Sequence, residues 1–281
     1  MKIEPVAGHI GAEISGVDLK EPLGEEVAEA LRAALAQYLV IFFRDQHLDI
    51  PSQKRVTEVF GPVLRVPYVQ PSKDDPDVVA VLKEAEERKI YVFGGDWHSD
   101  FSFLEQPPAG SVLAAVEIPP YGGDTLWSSQ VAAWETLPDD LRAAVEGRNA
   151  IHVGAPHGTR YAPPKDMAVS KSIKMQRGDP AADEERPHPI GRRHVTSGRT
   201  ALFVNPIYSV RIEGMSVEES RPILQRLYAH AVRPEFTCRF RWSPGAVAIW
   251  DNRATLHYAI NDYDGSRRLL HRTTFAGERP V

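Results

Sequence analysis

Between Trp97 and Phe101 the chain reads Trp-His-Ser-Asp-Phe, which sets the imidazole of His98 and the carboxylate of Asp100 two positions apart. In extended backbone alternate side chains leave the same face, so both groups can reach one metal ion. Alone, the pair is weak evidence, because a surface histidine beside a turn-forming aspartate has the same sequence. A third ligand from elsewhere would complete a two-histidine, one-carboxylate face that leaves three coordination positions open for a cosubstrate and O2. His257, just after Trp250-Asp251-Asn252, is the candidate. Downstream, Arg268 and Arg272 stand at i and i+4 and therefore share one face of a strand. Guanidinium groups capture carboxylates bidentately, so a strand returning beside the metal would bring two anion sites to it.

Two other readings fit the same residues. Zinc also accepts histidine and carboxylate with an open fourth position, which would make a hydrolase. A non-catalytic β-sandwich could bind a small acid through Arg268 and Arg272 alone. Dependence on O2 and Fe(II), and release of an oxidised coproduct, separate these from an oxygenase.

The elements that must position these groups are mostly strands. Val27, Leu31, Leu35 and Tyr38 recur at helical spacing and predict a helix over Glu25 to Tyr38, preceded by Gly24. Leu39 to Phe43 follows as an apolar, β-branched and aromatic run, the signature of a strand buried on both faces. Ser216 with Glu219 forms a capping box ahead of Ile223, Leu224, Leu227 and Ala231, predicting a second helix. Phe236, Cys238, Phe240 and Trp242 alternate with polar residues as in a half-buried strand. Ala246 to Trp250, Val78 to Leu82, Ser111 to Glu117, Ala201 to Val204 and Leu269 to Phe275 add further strands. Strands outnumber helices without regular alternation, so the predicted class is mainly β: an antiparallel sandwich or jelly roll with a few flanking α-helices. The polar segments 83–96 and 156–193 read as long, lid-like loops on a single domain spanning residues 1–281.

Composition narrows the partners. At 42% hydrophobic and 25% charged residues the chain can bury a core, which excludes disorder. The net charge of −5 argues against nucleic acid, whose phosphates need a basic face. A small acidic substrate is the expected partner, held by local arginines. The lone Cys238 excludes an intramolecular disulfide and a multi-cysteine zinc site, and fits a reducing, cytoplasmic setting. No apolar run approaches signal-peptide or membrane-spanning length, so no membrane partner is expected.

At this point the residues carry a resemblance. Gly11-Ala12-Glu13-Ile14-Ser15-Gly16-Val17-Asp18-Leu19, Trp97-His98-Ser99-Asp100, Gly122-Gly123-Asp124-Thr125-Leu126 and Trp250-Asp251-Asn252-Arg253 with His257 resemble, in order and spacing, the taurine dioxygenase and 2,4-dichlorophenoxyacetate dioxygenase superfamily. The resemblance covers nearly the whole chain. It implies a double-stranded β-helix and an oxidoreductase that uses Fe(II), 2-oxoglutarate and O2. Carried over residue by residue, it makes His98, Asp100 and His257 the iron ligands and gives Thr125 and Arg268 the distal carboxylate of 2-oxoglutarate. Arg272 then faces the acidic group of the substrate. Members of the superfamily are often homo-oligomers.

The substrate is less sharply marked. Taurine dioxygenases place a sulfonate-binding histidine where this chain has Val66, and losing that donor removes a charged hydrogen bond of about 1.5 to 3 kcal/mol. The segments around Phe60 to Pro67, Asn205 to Met215 and Glu235 to Arg239 are more similar to the (R)-phenoxypropionate dioxygenases. That similarity implies an aryloxyalkanoate-like carboxylate substrate, with Tyr208 assisting Arg272. Taurine, alkylsulfonates and alkyl sulfates are the alternatives. Val66, Tyr68 and Phe101 are expected to supply apolar walls.

Overall fold

The computed structural model describes residues 1–90, 92–160 and 171–281. Its strands, in chain order, are β1 (Lys2–Pro5), β2 (Ala12–Ser15), β3 (Val40–Phe43), β4 (Val79–Lys83), β5 (Gly110–Glu117), β6 (Thr125–Ser129), β7 (Asn149–His152), β8 (Arg186–Pro189), β9 (Gly191–Arg193), β10 (Thr200–Leu202), β11 (Ser209–Ile212), β12 (Thr237–Phe240), β13 (Val247–Asp251), β14 (Thr255–Ala259) and β15 (Arg268–Phe275). Its helices are α1 (Glu25–Tyr38), α2 (Ile50–Phe60), α3 (Gln130–Glu135), α4 (Asp139–Val145) and α5 (Val217–Ala231). The fold is β-rich, as the sequence predicts.

A seven-stranded sheet in the order β1-β2-β3-β13-β5-β15-β4 forms one layer, and a three-stranded sheet, β12-β6-β14, lies against it. All pairings are antiparallel except β2 with β3. The period of two explains the apolar runs. In β3, Val40 and Phe42 enter the core shared with Trp127, Phe240, Ala248 and Trp250, whereas Ile41 and Phe43 face Leu31, Leu35 and Val56 of the helices outside. Phe42 stacks on Phe240 with centroids 4.2 Å apart and meets Trp127 edge-on at 5.4 Å. Each such buried ring contributes roughly 1.5–3 kcal/mol of transfer free energy.

The two predicted helices match in extent. In α1 the buried residues are Ala28, Leu31, Ala34 and Leu35, so small alanines replace Val27 and Tyr38 at the centre of the face. In α5 the Ser216–Glu219 capping box is complete, and Leu224, Leu227 and Ala231 are buried. Helix α2 was not expected, although Asp49 caps it by accepting from Ser52 N and Pro51 occupies its first turn.

The polar segment 156–193 departs from its predicted loop character. Residues 161–170 lie outside the described residues, but β8 and β9 occupy its end, and β8 pairs with β7 through Ala150 and His188. Sequence patterning hides β8 because Arg186-Pro187-His188-Pro189 contains no apolar alternation; its inward group is a buried histidine that bonds Leu104 O at 2.9 Å. The segment 83–96 also begins as strand, with Lys83 closing β4. Beyond it, the Glu87 carboxylate accepts from Lys171 N, Ser172 N and Ser172 Oγ, so the two polar segments are tied to each other.

A candidate metal and 2-oxoglutarate site

His98 and His257 meet because their backbones pair. His98 N donates to His257 O (3.1 Å) and His257 N to His98 O (2.9 Å), and Ala259 N donates to Gly94 O (2.8 Å), so residues 94–98 run alongside β14. Gly94 permits this approach at φ +79°; a Cβ there would stand 3.3 Å from the His98 ring. Asp100 follows at a turn whose next residue, Phe101, has φ +48°. The turn is fixed by Ser99 Oγ donating to Asn252 O at 2.7 Å. The segment is thus extended only at His98, yet the carboxylate still reaches both imidazoles.

His98 Nε2 lies 3.6 Å from Asp100 Oδ1, and His257 Nε2 lies 3.9 Å from Asp100 Oδ2. The three ligand atoms are all within 4.8 Å of one another, and all three residues are buried. His98 Nδ1 is 2.7 Å from Asp96 O. A carbonyl only accepts, so Nδ1 carries a proton and Nε2 is the nitrogen turned to the cluster, the usual outer-shell control of a metal-binding histidine. Burial, then the neighbouring His98, push the His257 pKa down to about 3, which keeps it neutral and ready to ligate. Burial acts to raise the Asp100 pKa, but Arg272, His257 and His98 outweigh it and hold the carboxyl well below its ordinary value.

Arg272 and Arg268 lie on the same face of β15, since β15 runs in regular register along β4. Arg272 Nη1 donates to both oxygens of Asp100 (3.1 and 3.2 Å), and Phe93 covers its guanidinium at 5.3 Å. Its Nε and Nη2 are buried without a partner among the described residues. Such donors are costly to leave unmade. Arg268 is also buried, its Nε likewise without a partner, and it lies 5.9 Å from the rings of both Trp242 and Tyr263. Thr125 Oγ accepts from Trp242 Nε1 at 3.0 Å, which leaves the hydroxyl proton free to donate. Trp242 therefore brings Thr125 and Arg268 to one place. Gly123, at φ +70°, completes the cradle: a Cβ would sit 3.1 Å from the Arg268 side chain.

A cavity of about 540 Å³ opens on His98 and Asp100 and is lined by Phe93, Phe101, Ile173, Met175, Ile207 and Tyr208 among others. Of the expected substrate-contacting residues, Phe101 and Tyr208 line this cavity, and Val66 lines a smaller one of about 170 Å³ together with Arg272, Val69 and Val79. The Asp100–Arg272 pair stands between the two cavities. Sequence reasoning missed Phe93, His157 and the structural use of Trp242. Only Trp242 carried a signal, as the last inward residue of its alternating strand.

The family model of the taurine catabolism dioxygenase TauD, TfdA family matches residues 2–274. This chain belongs to that family. It is 38% identical over 282 residues to an alpha-ketoglutarate-dependent sulfate ester dioxygenase of Pseudomonas putida, covering 100% of this chain and 91% of the relative. It is 31% identical over 285 residues to the alpha-ketoglutarate-dependent 2,4-dichlorophenoxyacetate dioxygenase of Cupriavidus pinatubonensis, with 96% of each covered. Among solved structures it resembles a putative alpha-ketoglutarate-dependent taurine dioxygenase from Burkholderia xenovorans, with a TM-score of 0.82, 36% identity and coverage of 100% and 94%. The TauD/TfdA chain is therefore an Fe(II)- and 2-oxoglutarate-dependent oxidoreductase that uses O2, and the hydrolase and non-catalytic readings fall away. The donor set fits: two imidazoles, one ionised carboxylate, and buried arginines with unpartnered N–H groups. Among the described residues no helix is long and apolar enough to cross a membrane.

Proposed function

We propose that this TauD/TfdA dioxygenase oxidises the carbon next to oxygen in an organic sulfate ester, with His98, Asp100 and His257 as the iron ligands. The observation that carries the reading is Arg272: buried beside the ligand cluster, it keeps two N–H groups unpartnered where an anionic head group can take them. Tyr208, which lines the same cavity as Asp100, adds a hydroxyl donor. Burial first, and Asp100 next, push its pKa upward, so the phenol stays protonated. Arg268 and Thr125 hold the distal carboxylate of 2-oxoglutarate in the cradle formed with Gly123 and Trp242. When bound, the iron and cosubstrate supply the oxidation of a C–H bond by O2, with succinate and CO2 as coproducts. The protein's residues orient the ester and exclude water from it. Hydroxylation next to the ester oxygen gives a product that collapses to an aldehyde and sulfate.

Three relatives suggest three substrate classes, and the cavity helps to rank them. Taurine is small for about 540 Å³ of mostly apolar space, and Val66 provides no donor for its sulfonate. The sulfate-ester relative is more similar than the phenoxyacetate relative, at 38% against 31% identity. An aryloxyalkanoate, the class implied by the sequence segments around Tyr208, is the second reading; the aromatic lining from Phe93 and Phe101 favours it. The same reading includes a double-stranded β-helix formed by the two facing sheets, a single domain over residues 1–281, a cytoplasmic location and a lid in which Glu87 joins segment 84–89 to Ser172.

The test is succinate release by the Fe(II)-loaded enzyme with 2-oxoglutarate and O2, offered hexyl sulfate, 2-phenoxypropionate or taurine in parallel. Stimulation by hexyl sulfate above the other two, with stoichiometric hexanal, is the expected result. Stimulation by phenoxypropionate alone would move the assignment to the second reading.

A further inference from the structure

One wall of the large cavity is built around an imidazole that the ligand cluster does not use. His157 lies in the loop 153–158, which is tied down on several sides. Val153 N donates to Tyr208 O (2.9 Å), Gly154 N to Ala182 O (2.6 Å) and His157 N to Gly154 O (2.8 Å). Gly154 packs so tightly that a Cβ would come 2.5 Å from the Phe103 ring. The imidazole stacks against Tyr68, centroids 4.8 Å apart at 25°, and against Phe101 at 6.0 Å and 22°. It is 2% exposed and lines the cavity alongside Asp100, Phe101 and Tyr208.

Its hydrogen bonding fixes what it can offer. Nδ1 is 3.1 Å from Gln176 O, and a carbonyl only accepts, so Nδ1 bears the proton. Nε2 of the neutral ring is then a lone pair. Burial keeps the ring neutral by lowering its pKa. A lone pair repels an oxyanion, whereas a flat ring wedged between Tyr68 and Phe101 gives apolar surface to a neutral group. Lys171, Lys174 and Arg177 also line the cavity, and Arg177, which follows Gln176, adds its charge to the burial that lowers the His157 pKa.

We propose that His157 is a specificity-determining residue: it receives the neutral tail of a substrate whose anionic head is at Arg272, and disfavours a second oxyanion at the tail end. This rests on the reading of Arg272 as the anion anchor. It assigns the substrate class as singly headed anions with an uncharged tail long enough to reach the ring, against both two-carbon acids and two-headed acids.

The test compares ethyl sulfate, hexyl sulfate and 6-(sulfooxy)hexanoate on wild type, His157→Ala and His157→Phe. Kd is read by calorimetry on anaerobic enzyme holding Fe(II) and 2-oxoglutarate, and kcat/KM from succinate release after O2 is admitted. Expected in His157→Ala is a fall of about two- to tenfold in the hexyl-over-ethyl preference, seen in Kd and KM rather than kcat. His157→Phe should retain that preference, because the stack survives, and should bind the two-headed ester better relative to hexyl sulfate, because the lone pair is gone. An unchanged hexyl-over-ethyl ratio in His157→Ala would overturn the proposal. So would loss of the preference in His157→Phe, which decides the matter alone if the alanine variant does not fold. Tail-dependent binding without succinate from any ester would uphold the role of His157 and contradict the sulfate-ester chemistry instead.

Discussion

Arg268 and Arg272 share one face of β15, and the proposed function gives them different anions, so their replacements should separate. Arg272→Gln removes the charge that pairs with Asp100 and would receive the substrate head. A lost hydrogen bond to a charged group is worth about 1.5–3 kcal/mol, so kcat/KM for the ester should fall roughly 10- to 100-fold while the KM for 2-oxoglutarate changes little. Arg268→Gln empties the cradle beside Trp242 and Gly123, and should raise the KM for 2-oxoglutarate by a similar factor with little effect on ester binding. Steady-state succinate assays with each ligand varied in turn check both; movement of the same constant by the two variants would contradict the division. At this scale the cluster of His98, Asp100 and His257 was readable, as was the shared strand face of Arg268 and Arg272, because metal and anion chemistry restrict residue type and spacing. The role proposed for His157 was not readable, because it depends on Tyr68, Phe101 and Gln176 O, contacts that no spacing encodes.

The elements make the site rigid where it must be and leave it adjustable at the rim. Phe42 of β3 joins the two sheets through Phe240 and Trp127, so Phe42→Ala should cost about 3–5 kcal/mol in urea unfolding. A loss under 1 kcal/mol would mean that the inter-sheet core collapses around the gap. At the rim, the Glu87 carboxylate ties residues 84–89 to Lys171 and Ser172. Glu87→Ala should increase proteolytic cleavage near residues 84–89 and raise the KM for the ester, with melting temperature nearly unchanged; protease sensitivity equal to wild type would remove the lid. Strands buried on both faces, such as β3 and β13, were legible as uninterrupted apolar runs. Strand β8 was not, since two prolines and a buried histidine carry no periodic signal. Helices α3 and α4 are too short for a 3.6-residue period to emerge.

Across the whole molecule, buried neutral histidines couple stability to pH. Burial pushes the His188 pKa down to about 4, and His152, fully buried, is also held well below its ordinary value. Between about pH 6.5 and 4 the unfolded chain binds protons at these positions that the folded chain does not, so stability is full above that window and falls as pH falls through it. His188 by itself accounts for roughly 3 kcal/mol of that loss. The melting temperature should drop across this range, and less steeply in His188→Gln; a flat profile would contradict neutral burial. The central claim, that His98, Asp100 and His257 form one iron site serving O2-dependent oxidation, is most directly tested by anaerobic loading with Fe(II) and 2-oxoglutarate followed by O2 and hexyl sulfate. Wild type should release succinate and hexanal in equal amounts, and His257→Ala and Asp100→Ala should bind little iron and release neither. Equal succinate release by those variants, or oxidation without bound iron, would contradict it.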